Sequence, residues 1–322
     1  VELVSKTIKG KSMQFIKSDV NINFIGKRNI AFFVSIVMIV ISIIFLILHG
    51  GPKQGIDFAG GTLIQVKFLA PIKIADIKAG LQSIGLGKSS VQSFGEQESN
   101  EYLIRTDSSV MAAEGFSLGV EKALSSSTGG EVEIRRIEMV GAQVGQDLRE
   151  KALFAMFYAL LFITIYISGR FELKWMISGV MAVALIGAVY IFTLFSVSIP
   201  FLIAAALIVS LVLFWFLELK YAMGAIVALI HDVTVTVGIF SILDKEFTLA
   251  IIAALLTIIG YSLNDTIIVY DRIRENQRKY HKNPLEYILN RSINETLSRT
   301  ILTSATTLFV VVTLFILGGG II

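Results

Sequence analysis

The chain has 322 residues, of which 54% are hydrophobic and 16% charged, with a formal net charge of +3 and no cysteine. Soluble domains carry about 25% charged residues, so this composition excludes a stably soluble protein and a disordered one. The missing cysteines exclude disulfide bonds and thiolate metal sites, and the small net charge gives no electrostatic basis for binding nucleic acid.

Seven segments are long and apolar enough to cross a bilayer, which requires about 20 mostly apolar residues per helix. The first, at 30–48, is too long for the hydrophobic region of a typical signal peptide, so we interpret it as a retained anchor. The other six lie near 152–168, 176–195, 199–217, 222–243, 247–270 and 299–317. We therefore expect a polytopic α-helical membrane protein with about seven transmembrane helices.

The distribution of lysine and arginine predicts the orientation of these spans, because cytoplasmic loops carry the excess of positive charge. Cationic residues cluster before the first span and again in 271–299, whereas the turn at 196–200 has none. This places the C-terminus outside. The predicted arrangement is a cytoplasmic segment at 1–29, a transmembrane helix at 30–48, an extracytoplasmic domain at 50–150, and a helix bundle at 151–322 with a cytoplasmic loop at about 271–298.

The segment 50–150 has a mixed composition and alternates between strand and helix patterns. Residues 62–68 alternate with period two, as in a strand, and 72–84 has helical spacing. The remaining predicted elements are strands at 101–106 and 131–137, with a helix around 113–124 between them. This β-α-β-α-β order predicts a small α+β domain of the ferredoxin-like type.

A two-helix hairpin occurs twice in the membrane part of the sequence. The matching pairs are 171–175 with 217–221, and 183–189 with 227–233. Apolar helices can resemble one another by chance, but the matching Glu-Leu-Lys turns favour a true repeat. The first copy has Gly187 and Ala188 where the second has His231 and Asp232, so only the second copy has ionisable residues inside the membrane.

Five polar residues stand out at membrane depth. His231 and Asp232 lie within the fifth span, Asn264 and Asp265 in the second half of the sixth, and Arg299 at the start of the seventh. A carboxylate at the bilayer centre costs about 2.5–3.5 kcal/mol, so it normally faces the bundle interior or water. Burial raises the pKa of a carboxyl group and a nearby arginine lowers it, which allows proton exchange near neutral pH. These residues are therefore candidates for a proton pathway.

Each candidate also has a structural alternative. Asp265 and Arg299 can form a static clasp between helices, His231 and Asp232 can be a hydrogen-bonded packing pair, and Arg299 can anchor a helix end at the cytoplasmic surface. The functional interpretation is strongest for Asp265. The three histidines are too scattered for a metal site, so we expect no metal. A proton pathway performs transport without covalent chemistry, so we also expect no cofactor and no enzymatic activity.

A glycine-rich segment, Gly-Ile-Asp-Phe-Ala-Gly-Gly at 55–61, joins the first span to the first strand. Its glycines permit a tight backbone turn between membrane and strand. It is not a phosphate-binding loop, because it lacks the Gly-Lys-Ser/Thr ending. The residues that characterise the segment are Gly55, Asp57, Phe58, Gly60 and Gly61.

Taken together, these motifs resemble the SecF family, whose members are the smaller membrane subunits of SecDF protein-export complexes in the RND superfamily. The segments that carry the resemblance are 55–61, 140–148, 228–233, 259–265, 271–276 and 298–304. The resemblance covers about 20–175 and 222–318. The glycine-rich segment alone would not separate SecF from its larger partner SecD.

The resemblance implies a pseudo-symmetric bundle with a SecD-like subunit beside the Sec translocon, in the cytoplasmic (inner) membrane. Proton flow would move the extracytoplasmic domains, which act on unfolded preprotein. Family knowledge implies proton-path roles for Asp265 and Arg299, and a less certain role for His231 and Asp232. The implied partners are thus SecD, the Sec translocon, preprotein and protons, with no nucleic acid.

The sequence departs from this family in two places. A usual SecF has six spans, whereas the repeat adds two here, and the chain stops at 318–322 before the usual last span. Two alternative functions remain: an RND-type exporter of small molecules or lipids, and a non-transporting scaffold of the Sec channel.

Overall fold

The computed structural model describes residues 21–94, 100–106, 115–172, 175–194 and 199–317. The basic residues before Asn21, on which the predicted orientation partly depends, lie outside the described residues, as does the end of the chain at 318–322. A 3₁₀ turn at Ile25–Lys27 precedes the main elements. These are α1 (Arg28–Leu48), α2 (Ile56–Ala59), β1 (Gly61–Phe68), α3 (Ile74–Ser83), β2 (Ser90–Phe94), β3 (Glu101–Thr106), α4 (Phe116–Thr128), β4 (Val132–Val140), α5 (Ala142–Glu172), α6 (Trp175–Leu194), α7 (Ile199–Phe216), α8 (Lys220–Ile242), α9 (Leu249–Lys279) and α10 (Leu285–Leu317).

The four strands form one antiparallel sheet in the order β2-β3-β1-β4. With α3 between β1 and β2, and α4 between β3 and β4, the chain follows the order β-α-β-β-α-β of a ferredoxin-like unit. We call β1 to β4 with α3 and α4 the sheet domain. The predicted strands at 62–68 and 101–106 are confirmed, but β2 is absent from the sequence prediction, because three of the five residues in its Ser-Val-Gln-Ser-Phe sequence are polar.

The core of the sheet domain lies between the sheet and the two helices. Ile64, Val66 and Phe68 of β1 alternate inward, as the period-two pattern predicts, and are at most 1% exposed. They pack with Ile77 and Leu81 of α3 and with apolar residues of α4. Burial of these side chains stabilises the domain by about 1.5–3 kcal/mol for each large residue.

The membrane part contains helices at all seven predicted positions. Six of them, α1, α5 and α7 to α10, are long and apolar enough to span a bilayer, and α6 contributes a shorter apolar segment at 179–188 among the described residues. The chain is therefore a polytopic α-helical membrane protein with a small α+β domain.

The segment 271–298, expected as a loop between two spans, is largely helical. Helix α9 continues to Lys279 and α10 begins at Leu285, so the connection is 280–284. Each helix has an ion pair between neighbouring turns: Arg272 with Glu275 at 2.9 Å in α9, and Arg291 with Glu295 at 2.8 Å in α10. These pairs favour the helical conformation of the segment.

The helices pack closely where their residues are small. Ser42 of α1 is 2% exposed and lies against Gly238 of α8, where an added Cβ would overlap the serine side chain. Because lipid provides no hydrophobic force between helices, close approach of this kind contributes to their association through van der Waals packing. A larger apolar core is formed by residues of the five helices from α5 through α9, and it includes Phe157, Phe171 and Phe214.

The sheet domain lies at the end of the bundle where α1 ends and α5 begins. The loop at 243–248, between α8 and α9, lies at the same end and contacts residues 53–57. At the other end, Arg170 of α5 pairs with Asp271 of α9 at 2.7 Å, and Asn290 of α10 accepts a hydrogen bond from the backbone N–H of Phe24 at 2.8 Å. The helix ends thus lie in two groups at opposite ends of the bundle, as expected for spans that alternate in direction.

Candidate functional site

His231, Asp232 and Ser262 form a polar contact between α8 and α9. The carboxylate of Asp232 lies 2.8 Å from Nδ1 of His231 through one oxygen, and accepts a 2.5 Å hydrogen bond from the Ser262 hydroxyl through the other. The side chains of His231 and Asp232 are 29% and 39% exposed within the chain. Both oxygens of this carboxylate therefore have partners, one of them on the neighbouring helix.

Asp265 lies one helical turn beyond Ser262 and has a different environment. Its Oδ1 is buried and has no hydrogen-bond partner in the part of the chain that the structure describes. Arg299 lies on α10, which packs against α9, and no ion pair within 4.0 Å joins it to Asp265 among the described residues. A buried acceptor without a partner is costly, so Asp265 differs from Asp232 in having an oxygen that the described residues leave unsatisfied.

The remaining predicted residues lie around Asp265. Asn264 and Arg299 are exposed on the surface of the single chain, facing away from its helix core. Thr303 donates to the backbone carbonyl of Arg299 at 2.9 Å, and Thr306 donates to that of Leu302 at 3.0 Å, so these hydroxyls are satisfied within their own helix. The structure thus places Asp265 and Arg299 on the adjoining helices α9 and α10, with Asn264 on the outer surface of α9.

Two further polar atoms, on the helices α8 and α10, have no partner among the described residues. They are the Nε2 atom of His231 and the hydroxyl of Thr300, both buried. Together with Oδ1 of Asp265, they give each of α8, α9 and α10 one buried polar atom that has no hydrogen-bond partner among the described residues. No group of three or more metal-binding side chains occurs within the described ranges.

The glycine-rich segment lies at the end of α9 opposite its contacts with α10 at Asn276. The backbone N–H of Gly55 donates to the carbonyl of Phe247 at 2.7 Å, and the N–H of Phe247 donates to the carbonyl of Lys53 at 2.7 Å. Oδ2 of Asp57 accepts from the N–H of Leu249, the first residue of α9, at 2.9 Å. Asp57 thus satisfies one of the free N–H groups at a helix start, where negative charge is also favoured.

The other motif residues fit a tight turn. Gly60 has φ +74° and Gly61 φ +122°, both in the region that favours glycine. A Cβ on Gly60 would lie 2.8 Å from Cα of Ala142, so α5 packs directly on this backbone. Phe58 is buried with Phe247 in a small apolar cluster completed by Ala152, Ile252 and Leu255. The segment therefore connects the sheet domain to both α5 and α9.

Two ion pairs add to this contact. Arg105, the penultimate residue of strand β3, pairs with Glu246 at 2.7 Å, and their side chains are only 12% and 22% exposed. Lys53 pairs with Asp244 at 2.7 Å on the surface, and this hydrogen bond lowers the pKa of the Asp244 carboxyl. Sequence reasoning missed Arg105 and Glu246, because a strand arginine and a loop glutamate show no local pattern that would pair them.

Comparison with known proteins identifies relatives over nearly the whole chain. A family model described as protein export membrane protein SecD/SecF, C-terminal, matches residues 120–201 and 184–322, and the SecD/SecF GG motif matches residues 45–68. The overlap of the two C-terminal matches, 184–201, falls within the first copy of the predicted repeat. The GG-motif match includes all five residues singled out between Gly55 and Gly61.

Among individual relatives, the protein translocase subunit SecF of Magnetococcus marinus is 41% identical over 314 residues, covering 96% of this chain and 85% of the relative. The corresponding subunit of Calditerrivibrio nitroreducens is 38% identical over 314 residues, with 96% and 87% covered. The crystal structure of SecDF, a translocon-associated membrane protein from Thermus thermophilus, matches 95% of this chain with a TM-score of 0.66 and 28% identity. This chain spans 35% of that larger chain.

Proposed function

The chain belongs to the SecF family of protein-export membrane proteins, and from this premise we propose that it works with a SecD partner to drive preprotein translocation with the proton gradient. It would do so by binding and releasing protons within the bilayer, without covalent chemistry. The coupled movement would act on an unfolded preprotein as it leaves the Sec channel of the inner membrane.

The observation that carries this proposal is the buried, unpartnered Oδ1 of Asp265. A carboxyl group at membrane depth with no fixed partner gains a hydrogen-bonding role when it takes up a proton, because the acid form can donate as well as accept. The positive charge of Arg299 on the neighbouring helix favours the ionised form, whereas the buried position of Oδ1 favours the protonated form. Opposing influences of this kind allow both protonation states to be populated in turn.

The proposed orientation follows from the charged residues and the helix ends. Lys27 and Arg28 lie at the start of α1, and Arg272 and Arg274 lie toward the same end of the bundle, as expected for the cytoplasmic side. The sheet domain is at the other end and would be extracytoplasmic, where it can reach an emerging preprotein.

A SecD partner is supported by the polar residues on the outer surface of the chain. Arg299 and Asn264 are exposed, and a charged side chain facing lipid is unfavourable by about 2.5–3.5 kcal/mol on insertion scales. The membrane half of α10 is also uncovered, with Phe309 73% exposed and Leu308 62% exposed. A second helix bundle on this face would cover both the apolar surface and the polar residues.

The decisive experiment is Asp265→Asn, measured as proton-gradient-dependent export of a secretory protein by membranes that also contain SecD. We expect the proton-dependent part of export to be lost while the variant still co-purifies with SecD. Asp76→Asn makes the same chemical change on the exposed face of α3 and should leave export unchanged. Full proton-dependent export by Asp265→Asn would refute the proposal.

The hydrogen bond between Ser262 and Asp232 favours a second role for one part of the site. Because it joins α8 to α9 and both carboxylate oxygens are engaged, His231 and Asp232 fit a helix clasp of the kind a scaffold would need. A purely scaffolding protein would lose SecD binding, and not proton dependence, when Asp265 and Arg299 are replaced by neutral residues. An exporter of small molecules would instead transport a lipophilic dye in the same membranes.

A further inference from the structure

The GG motif has no place in the proton site, because it lies at the far end of α8 and α9. Helix α9 runs unbroken from Leu249 to Lys279, and Asp265 lies 16 residues after its start, or about 24 Å along the helix axis at 1.5 Å per residue. A continuous helix of this length can transmit a tilt from one end to the other. The contacts at its first turn therefore determine what moves with it.

We call the loop at 243–248, which joins α8 to α9, the connecting loop. It is held by residues 53–57, which precede β1, and by Arg105 of β3. Lys53 and Gly55 pair with the connecting loop through backbone hydrogen bonds of 2.7 Å to and from Phe247. Asp57 caps the start of α9. Arg105 reaches the connecting loop from β3, in the middle of the domain sequence, through its ion pair with Glu246.

The Arg105–Glu246 pair is the most sheltered of these contacts. At 12% and 22% side-chain exposure it is shielded from solvent, so removing one charge leaves the other poorly hydrated. The Lys53–Asp244 pair is far more exposed, at 42% and 71%, and contributes less. Arg105 therefore makes the contact whose loss should most loosen the sheet from the connecting loop.

We propose that the connecting loop and the residues that hold it move as one body, and that this body carries a rearrangement at Asp265 to the sheet domain. Arg105 and Glu246 are positioning residues in this body, and Asp57 ties it to α9. The inference rests on the proposed function. It assigns to the GG motif the task of coupling the membrane helices to the sheet.

The first test changes the charges of the pair. Arg105→Gln and Glu246→Gln should each lose most of the proton-dependent export while the export measured without a proton gradient and co-purification with SecD persist. The exchanged pair, Arg105→Glu with Glu246→Arg, should restore proton-dependent export, because it restores the attraction. Arg135→Gln is the matched control, since Arg135 lies in the same sheet and pairs with Glu133 on the surface.

Unchanged proton dependence in both single variants would overturn the inference, as would an exchanged pair that assembles but restores nothing. If the single variants do not accumulate in the membrane, the exchanged pair still tests the inference, and recovery of its proton-dependent export supports it. Asp265→Asn in the same membranes separates the two proposals. Loss of proton dependence there, with no effect at Arg105 and Glu246, would refute the coupling body and leave the proton site standing.

A second test asks whether the connecting loop must part from the domain. The chain has no cysteine, so Lys53→Cys with Asp244→Cys introduces a unique pair that a short bifunctional thiol reagent can join in a complex with a cysteine-free SecD. We expect the joined protein to keep its proton-dependent export, because the two sides move together. Export that is active before the reagent and blocked after it, with each single-cysteine variant unaffected, would overturn the inference.

Discussion

The Ser262 hydroxyl of α9 donates a 2.5 Å hydrogen bond to Oδ2 of Asp232 on α8. The bond distinguishes two carboxyl groups that look alike in the sequence. Asp232 has a partner for each oxygen, whereas Oδ1 of Asp265, one turn further along α9, has none among the described residues. The first environment suits a permanent contact between helices, and the second suits a group that changes its protonation state.

Replacing Ser262 by alanine should weaken the contact between α8 and α9. The variant removes one hydrogen bond to a carboxylate, and interhelical hydrogen bonds in membranes contribute about 0.6 kcal/mol on average and up to about 1.7 kcal/mol. We expect a lower midpoint of thermal unfolding in detergent. Ser262→Thr keeps the hydroxyl and should recover most of the loss.

Thr257→Ala is the matched control for this change. Its hydroxyl lies on the same helix but donates to the carbonyl of Ala253 within α9, at 2.9 Å. Removing it leaves the interhelical contact untouched, so the unfolding midpoint should stay near that of the unaltered protein. Equal losses for Thr257→Ala and Ser262→Ala would show that the Ser262–Asp232 bond contributes nothing specific.

Neutralising Asp232 should have a milder effect than neutralising Asp265. In Asp232→Asn the amide oxygen can still accept from Ser262, and the amide N–H can donate to His231 if the imidazole proton moves to Nε2. The clasp and most proton-dependent export should therefore persist, whereas Asp232→Ala leaves Ser262 unpaired and should cost about 1–3 kcal/mol of stability. Loss of proton dependence in a stable Asp232→Asn would place Asp232 on the proton path.

The sequence predicts the elements whose signal is local. Ile64, Val66 and Phe68 alternate along β1, and the seven apolar segments coincide with helices, because burial in a core or a bilayer selects residues at a regular spacing. Helical spacing also puts Ser262 and Asp265 on one face of α9. It does not show that Ser262 meets Asp232, since that depends on how two helices pack.

The same limit applies to the contact between the GG motif and α9. The glycines at 60 and 61 indicate a tight turn from composition alone. That Asp57 caps α9, and that Arg105 pairs with Glu246, depends on the docking of the folded sheet domain against the bundle. No periodicity within either segment contains that information.

The Lys53–Asp244 pair predicts a pH dependence of the domain contact. The hydrogen bond from Lys53 holds the pKa of Asp244 below its ordinary value of 3.8. A lowered folded-state pKa gives a stabilisation that is complete above the ordinary value and is lost as the pH falls through the folded value. Protection of the connecting loop from hydrogen exchange should therefore be constant at neutral pH and fall only in strong acid.

The variant Asp244→Asn should show the weaker protection at every pH, with no further acid-dependent loss from this site. Because the pair is exposed, the difference should be well below that caused by Glu246→Gln. A loss of protection in unaltered protein between pH 8 and pH 5, which Asp244→Asn removes, would contradict the assignment.

Gly60→Ala should disrupt the junction between the sheet domain and α5. Gly60 has φ +74° and ψ 176°, a region that is essentially restricted to glycine, and its added Cβ would lie 2.8 Å from Cα of Ala142. Backbone strain of this kind costs about 1–3 kcal/mol before the steric overlap is included. We expect a lower thermal midpoint and faster trypsin cleavage near the junction.

Gly85→Ala provides the control, because Gly85 has a similar φ of +77° but an added Cβ there meets nothing within 4 Å. It should cost about 1–2 kcal/mol, the penalty of a left-handed backbone alone, and it should leave proton-dependent export intact. Gly60→Ala should lower both stability and export, since the turn it distorts leads directly to Asp57 and the start of α9. Equal effects of the two variants would mean that the close approach of Gly60 to Ala142 has no part in holding the sheet domain against the helices.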